Sequence, residues 1–287
     1  MSFAGLGCVA GGTMPPQRFT SPVAARLAFS AHETRETTSA HAEGAAYRAE
    51  ADDKLTALLL STTARCPADM ALVENRVCVD RWEGSLVERS PGHRERPWSP
   101  YLPVDGHELS VRAVSRPGLI PQGYISGKQA QMACMASGKR LCSADEWERA
   151  CRGPSHKQFP YGQERRAGAC NDDIRHMHPV AEVGAMLGID RKDLWREGMN
   201  QPLINQLPET LLGAGERAAC TNEYGVFDMV GNLHEWIDDP DGTFRGGYYM
   251  DTSHNGEGCA YATTAHDFSY HDYSTGFRCC ADPERVE

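Results

Sequence analysis

Histidines are concentrated in the carboxy-terminal part of the chain. Four of them, with one aspartate, fall within a short stretch: His234, His254, His266, His271 and Asp272. Two or three imidazoles with one carboxylate form a donor set that suits nonheme iron or copper. One hypothesis is therefore a redox metal centre built from these side chains. The alternative is that His–Asp pairs orient loops, and for any single residue this alternative is the stronger one.

A second group of donors lies just before most of these histidines. The chain there supplies two carboxylates and two intervening backbone carbonyls: Asp228, Glu235, Gly231 and Leu233. Carboxylate and carbonyl oxygens are the ligands that Ca²⁺ prefers. We expect a structural calcium site at these residues. The alternative is that the two carboxylates cap turns or pair with Arg245 or Arg278.

Cysteine is the most informative residue type in the composition. Of 11 cysteines, ten are dispersed from Cys66 to Cys280 without the CxxC spacing of a zinc site. Ten dispersed thiols are unusual in the cytosol, whereas exported proteins pair them as disulfides. We therefore expect five bridges and an exported protein, in a bacterial-type periplasm, as an outer membrane lipoprotein or outside the cell. Buried free thiols that pack as small apolar groups are the weaker alternative.

Cys8 stands apart from the other ten. Small and apolar residues precede it, as they do in a lipoprotein signal, although no basic segment comes first. Cys8 is either a lipidated residue or an incidental cysteine, and both interpretations remain open. A lipid anchor here is the one membrane link that we expect, because no apolar run approaches the about 20 residues of a membrane helix.

Charge argues against nucleic acid as a partner. The formal net charge is −10, and the basic residues form no run or stripe along the sequence. Binding to a phosphate backbone requires clustered lysine and arginine. A peptide, a glycan or another protein is therefore the kind of ligand that we expect.

The elements that must position these residues are short. Residues 1–61 are predicted to form an export or tether segment, and residues 62–283 a single loop-rich α+β domain. Helices are predicted at 127–137, ending at Gly138, and at 143–152, where Ser143 and Glu146 form a capping box. Short strands are predicted at 226–230, 243–250 and 277–280.

A series of motifs then occurs in a fixed order. These are GKRLCSADEWERACRG from Gly138, FPYG from Phe159, Asn171, YGVFDMVGNLHEW from Tyr224, FRGG from Phe244 and GFRC from Gly276. Together they resemble the formylglycine-generating enzyme (sulfatase-modifying factor) family. The resemblance covers roughly residues 66–282 and implies a variant of the C-type-lectin-like fold, with few short helices and strands stapled by disulfides.

The resemblance implies two of the bridges. It matches Cys134 with Cys279 and Cys151 with Cys259. Elimination then gives the remaining three pairs: Cys66–Cys78, Cys142–Cys280 and Cys170–Cys220.

The resemblance also bears on the metal sites. It implies calcium at Asp228, Gly231, Leu233 and Glu235, and a second site that begins at Asn171 and Asp172. Residues 173–215 depart from the family pattern, so the other ligands of that second site are not located.

The departures from the family concern catalysis. The family resemblance implies oxidation of a substrate cysteine by two active-site cysteines that bind copper(I), soon after the GG-x-Y motif. Here Asp251 stands at the first position, and 254–256, ending at Gly256, covers the second. His234 also replaces a family aromatic. We therefore expect a binding module that is stabilised by calcium and does not form formylglycine. The alternative is an oxidoreductase with iron or copper held by the histidines.

Overall fold

The computed structural model describes residues 63–90, 92–172, 175–264 and 266–286. They belong to a compact unit that spans Leu58–Glu287. The predicted tether at 1–61 and the lipidation hypothesis for Cys8 lie outside the described residues. Within the described ranges, no helix has both the length and the apolarity to cross a bilayer.

Thirteen short strands are assigned in the described part of the chain. They are β1 (Thr63–Arg65), β2 (Met70–Val73), β3 (Val77–Asp80), β4 (Ser85–Glu88), β5 (Arg96–Pro97), β6 (Val111–Val114), β7 (Arg140–Leu141), β8 (His234–Trp236), β9 (Phe244–Arg245), β10 (Ala262–Thr263), β11 (Thr275–Phe277), β12 (Cys279–Ala281) and β13 (Glu284–Val286). None exceeds four residues, so strand pairing by itself gives little stability.

The strands form four small sheets. Two have four strands, in the orders β2-β3-β12-β7 and β10-β9-β8-β11, one has the order β5-β4-β6, and β1 pairs with β13. Strand β11 runs parallel to β8, and the other pairs are antiparallel. The parallel pair places Gly276 beside Glu235 and Phe277 beside Trp236.

Between residues 63 and 286, in the described ranges, three α-helices interrupt the strands: α1 (Gly127–Met135), α2 (Ala144–Arg152) and α3 (Pro179–Leu187). The predicted capping box of Ser143 and Glu146 is confirmed at the start of α2. Helix α1 ends two residues before the predicted boundary. Helix α3 was not predicted, although Pro at its first position and Gly188 in the left-handed region after its end are ordinary signals of a helix.

The prediction of a strand at 226–230 is wrong. Asp228 has φ +56°, Asn232 has φ +60° and Gly231 has φ +80°, and this left-handed backbone cannot continue a strand. Instead the segment forms turns that lead into β8.

Apolar side chains are buried in three clusters. One surrounds Trp147, a second contains Trp236 and Phe277, and a third contains Tyr124, Tyr249 and Tyr273. The third cluster receives Val180 and Val183 from α3, which packs a segment that departs from the family pattern onto the core.

Five disulfides join cysteines of the described residues, and four of them lie within the first two clusters. The bonded pairs are Cys66–Cys78, Cys134–Cys279, Cys142–Cys280, Cys151–Cys259 and Cys170–Cys220, the same five that the sequence predicted. Strand β12 carries two neighbouring cysteines, and they bridge to α1 and to the residue after β7. Because the four longer bridges close loops of 50 to 145 residues, they restrict the unfolded chain strongly.

Candidate functional site

An ion pair lies at the centre of the motif-rich region. Arg278 donates from Nη2 to Glu235 Oε1 at 2.6 Å and from Nε to Oε2 at 3.0 Å. The indole nitrogen of Trp147 donates to the same Oε2 at 2.6 Å. The remaining guanidinium contacts are the carbonyls of Asp80 and Phe227. Both carboxylate oxygens of Glu235 therefore have protein donors.

Two further buried carboxylates, Glu83 and Asp228, lie close enough to Arg278 for its positive charge to lower their pKa values. Glu83 accepts hydrogen bonds from the Asn232 side chain and from Leu233 N, and Asp228 accepts one from Gly215 N at 2.5 Å. Burial raises the pKa of Asp228 to about 7, and burial together with the neighbouring Asp228 and Glu235 raises the pKa of Glu83 well above its usual value. The cluster thus has more acidic than basic groups.

The two carboxylates of the predicted calcium site both have protein hydrogen-bond donors. Glu235 was expected to be a ligand, but Arg278 and Trp147 occupy its oxygens. Asp228 binds a turn through Gly215 N. These are the contacts of the alternative interpretation, in which one carboxylate caps a turn and the other pairs with Arg278. Gly231 and Leu233, which lie between these two carboxylates, contribute backbone atoms to the turn.

The second predicted cation position also has protein partners. The Asn171 amide donates to the carbonyl of Thr210 and to Asn232 Oδ1, each at 2.8 Å. Asp172 accepts from Arg165 Nε at 2.9 Å. Asn171 therefore joins the loop before residue 210 to the turn that precedes β8, which is a structural role.

The position expected for the first catalytic cysteine carries a carboxylate in a tight turn. Backbone hydrogen bonds join Asp251 and Tyr248 in both directions, and a Cβ on Gly247 would lie 2.3 Å from the Asp251 carbonyl. Asp251 Oδ1 accepts from the backbone of Ser253 and His254, and Oδ2 accepts from the Tyr261 hydroxyl at 3.2 Å. No thiolate can form here, and Asp251 makes no ion pair with any described residue.

His234 lies behind this turn and is buried. Its ring packs 4.9 Å from Tyr248, 5.5 Å from Tyr261 and 4.5 Å from Phe244. Its Nδ1 is buried and has no hydrogen-bond partner among the described atoms. Burial lowers the pKa of His234 to about 3, so the ring is neutral at physiological pH.

The other candidates for a redox centre point elsewhere. His254 is exposed, His266 stacks on Tyr270 at 3.7 Å, and His271 lies between Asn200 and Asp105. Asp272 accepts from the hydroxyls of Tyr270 and Ser274. Throughout the described ranges, no three His, Cys, Asp or Glu side chains are grouped to hold a metal ion. The four histidines do not form one donor set, so the geometry does not support the hypothesis of iron or copper.

A continuous series of rings leads from the Asp251 turn to the surface, and we call it the aromatic track. Its members, in spatial order, are Tyr261, His234, Tyr248, Tyr273, His178 and Trp195. Neighbouring centroids lie 4.9 to 6.2 Å apart. The His178 imidazole approaches the Tyr273 hydroxyl at 3.4 Å, and burial lowers its pKa. Trp195 is 57% exposed and ends the track.

Sequence analysis missed the outer half of the track. His178 and Trp195 lie in the segment that departs from the family pattern, and only the fold places them beside Tyr273. The same segment exposes Met177 to 60% and Leu203 to 41%. Exposed apolar side chains such as Met177 and Leu203 are common features of interaction sites.

The fold and the site together define a class of protein. The chain is a loop-rich, disulfide-stapled α+β domain of the C-type-lectin-like kind, with an Arg–Glu pair at its centre and a half-buried aspartate in the turn beside Tyr261. A family model described as "Sulfatase-modifying factor enzyme 1-like domain" matches residues 107–283, and the chain belongs to this family. The predicted family and fold class are confirmed.

Curated relatives carry related names. The chain is 26% identical over 236 residues to the formylglycine-generating enzyme of Mus musculus, covering 70% of this chain and 57% of that protein. The Bos taurus enzyme is 28% identical, with 70% and 56% covered. A Bos taurus protein named inactive C-alpha-formylglycine-generating enzyme 2 is 26% identical over 141 residues, with 46% and 40% covered. The chain thus spans about half the length of the two enzymes.

Solved structures give more distant matches. The I1 variant of the Major Tropism Determinant aligns with a TM-score of 0.44 at 12% identity, covering 78% of this chain and 55% of that chain. The M1 variant gives 0.43 at 13% identity, with 79% and 55% covered.

Proposed function

We propose that this protein is a noncatalytic member of the sulfatase-modifying factor family that binds a peptide segment of a partner protein at the two accessible ends of the aromatic track, Asp251 and Trp195. The observation that carries the proposal is Asp251. A carboxylate, bonded to Tyr261 and to two backbone amides, occupies the position where the family resemblance requires a thiolate. Without that thiol, the protein lacks a group that the family reaction needs to oxidise a substrate cysteine.

The chemistry of the site favours a particular ligand. Asp251 is half-buried, has no cationic partner among the described residues and stands beside the tyrosine rings of the track. A basic side chain placed here would gain an ion pair and a cation–π contact. Trp195 and Met177, both exposed, offer apolar contacts at the other end. We therefore favour a peptide with a basic residue and a large apolar residue over a neutral glycan.

Binding should be measured with a peptide library displayed on beads, followed by titration of the best binder. We expect Asp251→Asn and Trp195→Ala each to lower affinity at least about tenfold, as is common for charged and aromatic anchors of an interface. Matched controls are Asp241→Asn and Leu109→Ala, at exposed positions away from the track. Equal losses in the controls, or no selected peptides, would sink the proposal.

The loss of family activity is tested separately. A sulfatase-type peptide containing Cys-x-Pro-x-Arg is incubated with the protein, copper(I), oxygen and a thiol reductant. We expect no loss of the peptide thiol. Conversion of the cysteine to formylglycine would contradict the noncatalytic assignment whatever the binding result.

The proposal places the protein outside the cytosol, in a bacterial-type periplasm, on an outer membrane as a lipoprotein, or in the extracellular space. Five disulfides support export. Protein isolated without reductant and then denatured should show one reactive thiol, that of Cys8, or none if Cys8 carries a lipid. Several reactive thiols would contradict export. Calcium is not part of the proposal, because Glu235 already has protein donors on both oxygens.

A further inference from the structure

Asn255 differs from the other asparagines of the chain in two ways. Of seven asparagines, it alone is followed by glycine, at Gly256. It is also the exposed one, because the six others, all in the described part of the chain, are buried or half-buried: Asn75, Asn171, Asn200, Asn205, Asn222 and Asn232. Asparagine is a thermolabile residue, and exposure leaves its side-chain amide open to attack.

The side chain of Asn255 is held weakly. Its Nδ2 donates one hydrogen bond, to the Tyr261 hydroxyl at 3.3 Å, and its Oδ1 accepts none from any described residue. By contrast, the side chain of Asn222 makes three hydrogen bonds and that of Asn232 makes four. The Asn255 amide is therefore the one that can most easily change its rotamer.

A nucleophile lies next to this amide in the chain. The backbone nitrogen of Gly256 donates no hydrogen bond to any described residue, and glycine has no side chain to shield it. When such a nitrogen bonds to Cγ of the preceding asparagine, it closes a five-membered ring, which forms easily. Asn255 and Gly256 thus supply both groups that ring closure needs.

The fold itself requires glycine at this position. Gly256 has φ +106°, and a Cβ there would lie 2.6 Å from the carbonyl oxygen of Ala260. Any other residue would be strained by its backbone and would collide with its neighbour. The reactive Asn–Gly pair is therefore part of the turn, and the turn cannot be kept with a bulkier residue at 256.

We infer that Asn255 is a self-modification site, which the backbone nitrogen of Gly256 converts to aspartate or isoaspartate beside Asp251. The nitrogen bonds to Asn255 Cγ, the Cγ–Nδ2 bond breaks, and the amide proton leaves with the side-chain nitrogen as ammonia. The product is a cyclic imide. Water then adds to one of its two carbonyl carbons and opens the ring. The only co-reactant is water, and no electron is transferred.

The conversion changes the surroundings of Asp251. The Tyr261 hydroxyl links the two side chains, because it accepts from Asn255 at 3.3 Å and donates to Asp251 Oδ2 at 3.2 Å. A carboxylate at 255 cannot donate to Tyr261, so it competes with Asp251 for the hydroxyl proton and adds a negative charge. Isoaspartate also lengthens the backbone, which displaces the carbonyl that accepts from Ala262 N at 3.0 Å.

The Asp251 end of the aromatic track therefore becomes more acidic as the protein ages. The conversion does not depend on the proposed peptide ligand, since it needs only the chain and water. Its test can succeed or fail whatever the outcome of the binding experiments.

The test is incubation of the full chain at neutral pH, followed by digestion and peptide mapping by mass spectrometry over time. We expect loss of the Asn255 amide, with both aspartate and isoaspartate as products because an imide opens at either carbonyl. Isoelectric focusing should show an acidic shift of one charge. The other six asparagines are internal controls and should keep their amides. Asn255→Gln is the matched variant and should show no acidic shift, because its longer side chain must close a six-membered ring, which forms far more slowly.

A synthetic peptide with the sequence of residues 251–260 gives the rate without the fold. An Asn255 amide that persists in the folded chain after the peptide has converted would overturn the inference, because the turn would then prevent ring closure. Aspartate without isoaspartate would exclude the imide. Equal conversion at Asn222, or an equal acidic shift in Asn255→Gln, would show that position 255 is not selected. The thermal midpoint confirms that the variant is folded before incubation.

Discussion

Arg278 and Glu235 form an ion pair that is buried at both ends, with side-chain exposures of 0% and 1%. The pair joins β8 to the residue between β11 and β12, and Trp147 of α2 completes it. One side chain therefore links two sheets and a helix. Removing one partner from such a pair leaves a buried charge without compensation, which costs more than the pair itself contributes.

The variant Glu235→Gln tests this centre. We expect a loss of about 3–5 kcal/mol in the free energy of unfolding, because Arg278 stays buried without its principal acceptor. Urea unfolding at pH 7 without reductant gives the value. Glu223→Gln is the control, because its partner Lys157 lies in an exposed ion pair of little net value. Similar losses in the two variants would show that the Arg278–Glu235 pair is not a structural centre.

Asp228 makes stability depend on pH in a direction opposite to that of most acids. Its folded pKa is raised to about 7, above an unfolded value of about 4. The folded state therefore retains a proton that the unfolded state releases, and this contribution to stability is lost as pH rises from 4 to 7. Asp228→Asn should gain stability relative to wild type over this range, on the order of 3 kcal/mol.

The measurement is the difference in unfolding free energy between the variant and wild type at pH 4.5 and pH 7.5. Asparagine can accept the Gly215 hydrogen bond and tolerates the left-handed backbone at this position. Asp241→Asn serves as the control, with a difference that does not change with pH. A flat difference for Asp228→Asn would mean that this carboxyl is ionised in the folded protein at low pH.

The titration of His234 makes stability depend on pH in the direction opposite to that of Asp228. Its folded pKa is about 3, below the unfolded value of about 6.5, so acid protonates the unfolded chain first. The contribution of the buried, neutral ring to the free energy of unfolding is fully present above pH 6.5 and is lost as pH falls. His234→Phe should therefore exceed wild type in stability at pH 4.5 by about 3 kcal/mol, and by less at pH 7.5. Tyr248→Phe, which removes a hydroxyl that does not titrate in this range, is the control.

The two bridges of β12 should behave cooperatively. Cys134–Cys279 spans 145 residues and Cys142–Cys280 spans 138, so they close nearly the same loop. In the chain-entropy model, removing either one costs about 3 kcal/mol, because the other still holds the loop. Removing both should cost about 2 kcal/mol more than the sum of the two single losses.

Guanidinium unfolding of the paired Cys→Ala variants gives these values. The loss of Cys66–Cys78, which spans 12 residues, should add to either loss without coupling, because its loop lies elsewhere in the chain. If the two losses of unfolding free energy are simply additive, the two β12 bridges do not restrict the same loop.

Calcium provides a further test. Because Arg278 and Trp147 hold Glu235, we expect the same thermal midpoint in excess Ca²⁺ and in EGTA. A site filled at 100 times its Kd would stabilise the fold by about 2.7 kcal/mol, which differential scanning calorimetry detects easily. A higher midpoint in Ca²⁺ that disappears in Asp228→Asn would instead restore the calcium site predicted from the sequence.

Local signals predicted a large part of the fold. Ser143 and Glu146 predicted the start of α2, and the family resemblance implied two of the cysteine pairs correctly. The 226–230 segment shows the limit of such signals. Its apolar residues resemble a strand, but its neighbours place Asp228 and Gly231 in left-handed turns, where tertiary contacts determine the backbone.

The site was less predictable than the fold. The Glu235 carboxylate has the chemistry of a calcium ligand, and only packing shows that Arg278, 43 residues away, takes its oxygens. His178 and Trp195 follow no family motif, so their place beside Tyr273 depends on how α3 packs.

The position of β12 has a consequence for biogenesis. The strand lies between β3 and β7, which are about 200 and 140 residues earlier in the chain, and it carries the partners of two earlier cysteines. Under the proposed export, Cys134 and Cys142 would emerge as thiols long before Cys279 and Cys280 reach the oxidising compartment. Until then they are open to mispairing with each other and with Cys151. Efficient production should therefore depend on a disulfide isomerase, and on an oxidant that acts after most of the chain has crossed the membrane.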